Sequence, residues 1–193
     1  MIIGVDLDGV SGEYVGGLRK FVCDKLQIPE EQRLTIFPEP IDYNFSNWPQ
    51  VSDDFVKFHS EAVALGLYRD MDVIEGASET LWKFNNEGHH LRVITSRFVK
   101  HGQNYKVVAN TAEWLDQHDI PYRDIMFVHD KVDVYADVYI DDSPSNIERL
   151  RAAGRTVIAF NASYNQHIGG LRADNWNEVY EIISKLEAEK QLA

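Results

Sequence analysis

The chain opens on Ile2-Ile3-Gly4-Val5, an apolar run rich in β-branched residues without helical period, which predicts a buried strand. Similar short apolar runs recur at 91–95, 125–128, 138–140 and 155–160. Between them the apolar positions change to helical spacing. Leu81, Trp82 and Phe84 mark a helix that starts at Gly76-Ala77-Ser78 and closes near Gly88. Val107, Val108 and Leu115 mark another from about 104 to 118, and a third, from 144 to 153, opens with Pro144 near its first turn. A last helix runs from about 177. Strands alternating with helices predict an α/β domain with a parallel sheet and right-handed crossovers.

One stretch interrupts that alternation. Residues 11–17 are glycine-rich and predict a tight, hinged loop. Leu18, Phe21, Val22 and Leu26 then follow a helical period. From 29 to 49 prolines and aromatics give neither period, which predicts loop with short helical turns. A helical pattern returns over 51–67, with Ser52 placed to cap it ahead of Asp53 and Asp54. No good strand lies here. Residues 1–13 and 72–193 therefore form the expected core, and 14–71 a small helical cap inserted after the first strand.

Composition narrows the class. Apolar residues make up 44% and aromatic residues 11% of the 193 positions, enough for a sizeable core. No apolar run is long enough to cross a bilayer, and the first residues read as a strand and not as a signal peptide. The single cysteine, Cys23, excludes an internal disulfide framework, fits a reducing cytoplasm, and sits in an apolar helical stripe as a buried thiol. A formal net charge of −12 argues against a nucleic-acid polymer or an anionic membrane as partner. A small anionic substrate stays compatible, provided that a few basic side chains or a cation supply positive charge locally.

The candidate chemistry sits where the strands end. The first strand stops at Asp6-Leu7-Asp8-Gly9, two carboxylates one residue apart and so on one side of an extended chain. The next ends in Thr95-Ser96-Arg97, the third leads through His129-Asp130 to Lys131, and the fourth ends in Asp141-Asp142. In open α/β sheets the carboxyl ends of the strands are where ligands bind. Two carboxylates 4 Å apart repel by roughly 4 kcal/mol at an effective dielectric of about 20, so a converging set calls for a cation. Oxygen-only ligands suit Mg²⁺. A zinc site would want clustered Cys or His, whereas the histidines are scattered and His89-His90 reads as a solvated turn.

This order of motifs resembles the phosphatases of the haloacid dehalogenase superfamily, and more closely the 5′(3′)-deoxyribonucleotidase family. The similarity is carried by Asp6-Leu-Asp-Gly-Val, Glu13-Tyr14, Gly16-Gly17, Glu75-Gly76-Ala77, Thr95-Ser96, Asp130-Lys131 and the run from Ala136 to Asp142. The resemblance implies a Rossmann-like core and an aspartyl-phosphate intermediate. By position, Asp6 would be the nucleophile and Asp8 the acid that protonates the leaving group and then the base that activates water. Mg²⁺ would be held by Asp6, the Asp8 carbonyl and Asp141, with Asp142 in support. Thr95 and Ser96 would bind phosphate, Arg97 would join the substrate-binding set, and Lys131 would neutralise charge. The chain departs from the family in Val10-Ser11-Gly12, where Leu-Ala-Asp is usual, and in Arg97, where better-known members carry proline. The family's second lysine has only Lys106 as an unaligned substitute.

The expected substrate is a nucleoside monophosphate, with a sugar phosphate or other small ester as the alternative. Tyr14, Phe45 and Trp48 are candidates to stack on a base, while Phe45 and Trp48 could equally form the cap's own core. Less favoured are a non-catalytic binding module, because both aspartates remain, and an end-processing 3′-phosphatase, because no basic groove is evident. Nucleotidases of this kind are often dimers, so a homodimer is one expected assembly.

Overall fold

The structure, a computed structural model, describes residues 1–98 and 102–192; positions 99–101 and 193 of the expected core lie outside the described residues. In chain order the elements are β1 (Ile2–Val5), α1 (Tyr14–Lys25), α2 (Arg33–Ile36), α3 (Pro49–Ser52), α4 (Phe55–Ala64), α5 (Leu67–Asp70), α6 (Ala77–Asn86), β2 (His90–Thr95), α7 (Asn104–Gln117), β3 (Asp124–Phe127), β4 (Val138–Asp141), α8 (Pro144–Ala152), β5 (Val157–Phe160), β6 (Arg172–Ala173) and α9 (Trp176–Leu192). The strands form one sheet in the order β3-β2-β1-β4-β5-β6, every neighbouring pair parallel. β1 is central, flanked by β2 and β4, so the loop that leaves it is surrounded by other strand ends.

Alternation along the strands gives the sheet two apolar faces. Ile3, Val5, Leu91, Val93, Val138, Ile140, Ile158 and Phe160 share one cluster with Leu81 and Phe84 of α6, Trp114 and Leu115 of α7, and Val179 and Ile183 of α9. Ile94, Tyr139, Val157 and Ala159 on the opposite face pack with Ile147 and Leu150 of α8. A sheet buried on both sides explains the near-continuous apolar strand sequences. This is the expected α/β class.

Residues between β1 and α6 build most of a third cluster, from Leu18, Val22, Phe37, Trp48, Val63 and Tyr68, which Val107 of α7 joins. Several local expectations are corrected here. The hinge expected at 11–17 ends at Glu13, and Gly16 and Gly17 lie inside α1. A Cβ on Gly17 would come within 2.8 Å of Leu67, so glycine here allows α1 to approach α5 closely. The single helix expected over 51–67 is broken. Ser52 ends α3, and Asp54, not Ser52, precedes α4. Gly66, with φ +105°, turns the chain into α5.

Two further expectations fail in the core. His89 is buried, its Nδ1 3.1 Å from the amino group of Met1, and His90 opens β2 with its ring 2.6 Å from Asp124. Neither is a solvated turn. β6 was invisible to pattern reading because two residues carry no period, and only the pairing of Ala159 and Phe160 with Arg172 and Ala173 defines it.

Candidate active site

The backbone after β1 continues along β4 for one more residue, with Asp6 N–H donating to the Ile140 carbonyl at 3.1 Å. It then turns tightly: the amides of Ser11 and Gly12 both donate to the Leu7 carbonyl, at 2.9 and 2.8 Å. Gly9 sits in this turn at φ +77°, where a side chain would also collide with the Asp142 carboxylate. Glycine is therefore required twice over, for the left-handed backbone and for the close approach.

Four charged groups converge below this turn. Lys131, from the short 3-10 segment after β3, places its ammonium 2.8 Å from Asp6 Oδ2 and 2.6 Å from Asp141 Oδ2. One carboxylate oxygen from each of Asp6, Asp141 and Asp142 lies within 4.8 Å of the others, and all three residues are buried. Asp141 is anchored by the Ser143 amide at 3.0 Å and Asn146 Nδ2 at 3.3 Å. Asp142 accepts from the Tyr164 hydroxyl, and Asn165 Nδ2 donates to its carbonyl at 2.7 Å.

The electrostatics are unbalanced. Burial pushes Asp6 up to about 7, with Lys131 opposing and Asp141 and Asp8 adding to the rise. Burial and then the Asp6 and Asp141 charges push Asp142 well above the usual carboxylate range. Burial alone would lower Lys131; Asp141 and Asp6 outweigh it and raise it. Three carboxylates face one ammonium, so full ionisation of the set would leave two uncompensated negative charges in a buried volume. A hard divalent cation fits both that deficit and the oxygen-only donor set.

Thr95 closes β2 with its hydroxyl fully buried and without a hydrogen-bond partner among the described residues. Ser96 lines a cavity of about 200 Å³ that opens beside Asp8 and Asp142. Tyr14, Phe45, Phe55 and His59 also line it and make it largely aromatic. His59 stacks on Phe55 at 5.6 Å and is held by the Tyr14 hydroxyl at Nδ1 (2.8 Å) and the Tyr68 hydroxyl at Nε2 (3.3 Å). Burial lowers its pKa, so the ring is neutral near pH 7. A larger groove of about 740 Å³ is also lined by Gly9, but its Glu13, Glu39, Glu75, Glu79 and Asp174 outnumber its Lys83 and disfavour an anion.

The structure thus brings together Asp6, Lys131, Asp141 and Asp142, and places Asp8, Ser96, Tyr14 and Phe45 on one cavity. Three expected residues go elsewhere. Trp48 is fully buried and donates from Nε1 to the Pro38 carbonyl at 2.7 Å, so it belongs to the core of the helical segment. Lys106 donates to the Ala64 carbonyl at 3.1 Å, bracing α7 against α4. Arg97 is buried against Asp8, with Nε and Nη2 at 2.9 and 2.7 Å from its two oxygens, and offers no open face to a substrate. Tyr164, Asn165, Asn146, His59 and Tyr68 escaped sequence reading. The polar run Asn161–Asn165 after β5 is the one usable signal, because it repeats the polar strand ends of the other core strands.

Residues 1–191 match the model of the family described as 5′ nucleotidase, deoxy (pyrimidine), cytosolic type C protein (NT5C). A protein of Chlorobaculum tepidum, provisionally named a 5′(3′)-deoxyribonucleotidase, is 37% identical over 185 residues, covering 95% of this chain and 90% of its own. A 5′(3′)-deoxyribonucleotidase of Clostridium acetobutylicum is 29% identical over 100 residues, 50% of this chain and 54% of its own. Among solved structures, a haloacid dehalogenase superfamily hydrolase of Geobacter sulfurreducens superposes with a TM-score of 0.51 at 18% identity, covering 94% of this chain and 98% of the other. The chain belongs to the cytosolic type C 5′-nucleotidase family, as a phosphatase built on the haloacid dehalogenase fold.

Proposed function

We propose that the protein is a Mg²⁺-dependent phosphomonoesterase that dephosphorylates nucleoside monophosphates through a phosphoryl group carried on Asp6. The observation that carries this reading is the buried Asp6–Lys131–Asp141–Asp142 set at the end of the central strand. In it a carboxylate oxygen of Asp6 attacks phosphorus, forming an O–P bond as the ester P–O bond breaks. Asp8, protonated at that moment, gives its proton to the departing alkoxide oxygen. As carboxylate it then takes a proton from water, whose oxygen attacks phosphorus and releases inorganic phosphate and free Asp6. Lys131 offsets charge on Asp6 and the transferring group, and the unpartnered Thr95 hydroxyl donates to a phosphate oxygen. Mg²⁺, held by Asp6, the Asp8 carbonyl and Asp141 with Asp142 in support, would keep Asp6 ionised and offset negative charge on the phosphoryl oxygens.

In this reading residues 14–71 are a cap over the phosphate site, and the aromatic cavity wall receives the base. Base–aromatic stacking contributes about 1–3 kcal/mol per base. Tyr14 and Phe45, which both line the cavity and lie 6.5 Å apart edge to face, are our candidates for it. The names of the Chlorobaculum and Clostridium relatives support a nucleotide substrate. The test is phosphate release from a panel of nucleoside monophosphates and sugar phosphates, with Mg²⁺ and with EDTA, beside Asp6→Asn. Mg²⁺-dependent release lost in the variant is the expected result. Release that survives Asp6→Asn would refute the covalent route, and a flat panel would refute the nucleotide assignment.

A further inference from the structure

Among the described residues, Arg97 is the one buried cation of the site that does not touch the carboxylate trio, and its surroundings specify what it does. Its guanidinium is fixed from several sides. Nη1 donates to Thr111 Oγ1 at 2.8 Å, and that hydroxyl in turn donates to the Val107 carbonyl at 2.6 Å. The Tyr68 ring lies 4.2 Å from Cζ, and Met71 Sδ is 4.0 Å from Nη2. The side chain is wholly inaccessible, whereas Asp8 is 24% exposed and faces the cavity. α5 and α7 therefore hold the fork, and the fork meets Asp8 from behind.

A carboxylate has about four lone-pair directions, and the parallel donors Nε and Nη2 occupy one on each oxygen. The remaining lone pairs are left for other partners, and Asp8 itself lines the cavity. We infer that Arg97 is a positioning residue for proton transfer, fixing the Asp8 carboxylate so that its proton is carried on the cavity side, in line with the leaving oxygen. This rests on the reading of Asp8 as acid and base given above. A guanidinium never gives up a proton in a protein, so it fixes the plane of the Asp8 carboxyl group and takes no part in the transfer itself. The planar fork matters: a lysine would bind one oxygen and leave the plane free to rotate.

The experiment measures kcat/KM, which ends at leaving-group departure, for a nucleoside 5′-monophosphate, benzyl phosphate and p-nitrophenyl phosphate. The first two expel an alkoxide that needs the proton. The third expels a stable phenolate that does not. General acid–base catalysis contributes about 10²–10⁴-fold, so Arg97→Gln is expected to lose roughly 30–100-fold on the two alkyl esters and under about 3-fold on p-nitrophenyl phosphate. Arg97→Lys should recover part of the loss. Thr111→Val, which removes one support of the fork, should show the same selectivity at about 3-fold. If Arg97→Gln does not fold, those two variants carry the comparison. An equal loss on all three esters would overturn the inference, because a phosphate contact or a general structural defect would spare none of them. Asp8→Asn separates the two levels of the argument. Leaving-group dependence in Asp8→Asn but not in the Arg97 variants overturns the positioning role alone; its absence from Asp8→Asn overturns the acid–base reading and the positioning role together.

Discussion

Replacing Thr95 by valine separates what the hydroxyl does for the fold from what it does for a ligand. The side chains are nearly the same shape, and valine is at least as well suited to a strand. Thr95 is completely buried at the end of β2, and its Oγ1 has no protein partner among the described residues. A buried hydroxyl in that state costs the fold about 1–3 kcal/mol. If it awaits a phosphate oxygen, Thr95→Val should stabilise the free protein by about 1–2 kcal/mol, the lower part of that range, because some solvation is retained. In a domain of this size that raises Tm by roughly 2–8 °C. Turnover should move the other way. A hydrogen bond to a charged group is worth about 1.5–3 kcal/mol, so kcat/KM should fall by roughly 10–150-fold. Thermal unfolding without phosphate, followed by phosphate-release kinetics with saturating Mg²⁺, reads both quantities. Destabilisation by more than about 1 kcal/mol would refute the reasoning, since it would show that the hydroxyl already has a partner inside the fold.

The other predictions draw on different parts of the molecule. Mg²⁺ should raise Tm of the metal-free protein, by about 2.7 kcal/mol of added stability at a hundred times Kd, and Asp141→Asn should abolish that increment in a titration followed by calorimetry. Asp137 is pushed up by burial, but the Ile2 amide, Lys190 and Tyr135 outweigh this and bring it down to about 2. A lowered carboxylate stabilises the fold above its ordinary value of about 4 and loses that contribution as pH falls toward 2. Asp137→Asn should therefore cost about 1 kcal/mol at pH 7, allowing for its partly exposed setting, and urea midpoints of variant and wild type should converge between pH 4 and 2. Trp48→Ala should cost about 3–5 kcal/mol in urea unfolding, as a core truncation. Phe45→Ala should instead raise KM for a nucleotide more than for p-nitrophenyl phosphate, and an equal rise for both would remove Phe45 from base binding.

Much of the molecule was legible along the chain because it is local. Residues at the carboxyl ends of parallel strands are gathered by the topology itself. Asp6, Lys131, Asp141 and Asp142 could therefore be nominated before any contact was known, and the structure puts Lys131 within ion-pair distance of Asp6 and Asp141, with an Asp142 oxygen within 4.8 Å of theirs. The alternation of strands and helices likewise predicted the α/β class, since a strand buried on both faces leaves an unmistakable apolar run. Helix breaks in the segment after β1 were harder to read. Ser52 offered a valid capping side chain, yet it ends α3, and α4 starts only after Asp54.

Side-chain destinations belonged to tertiary structure alone. An arginine directly after Thr95-Ser96 invites a phosphate contact, and nothing local says otherwise. Only α5 and α7, folded against it, supply Tyr68, Met71 and Thr111 and turn the fork onto Asp8. Trp48 has the composition of a stacking residue, but a ring held at zero exposure by Phe37, Phe45 and the Pro38 carbonyl has no face left for a ligand. Tyr164 and Asn165 reach Asp142 from more than twenty residues away, and His59 meets Tyr14 across forty-five. Sequence alone determined which chemistry stands at the strand ends, because strand order and pleat act over a few residues. Which side chain faces which partner was decided only when distant helices packed, because that choice depends on volumes and hydrogen-bond partners that no local pattern records.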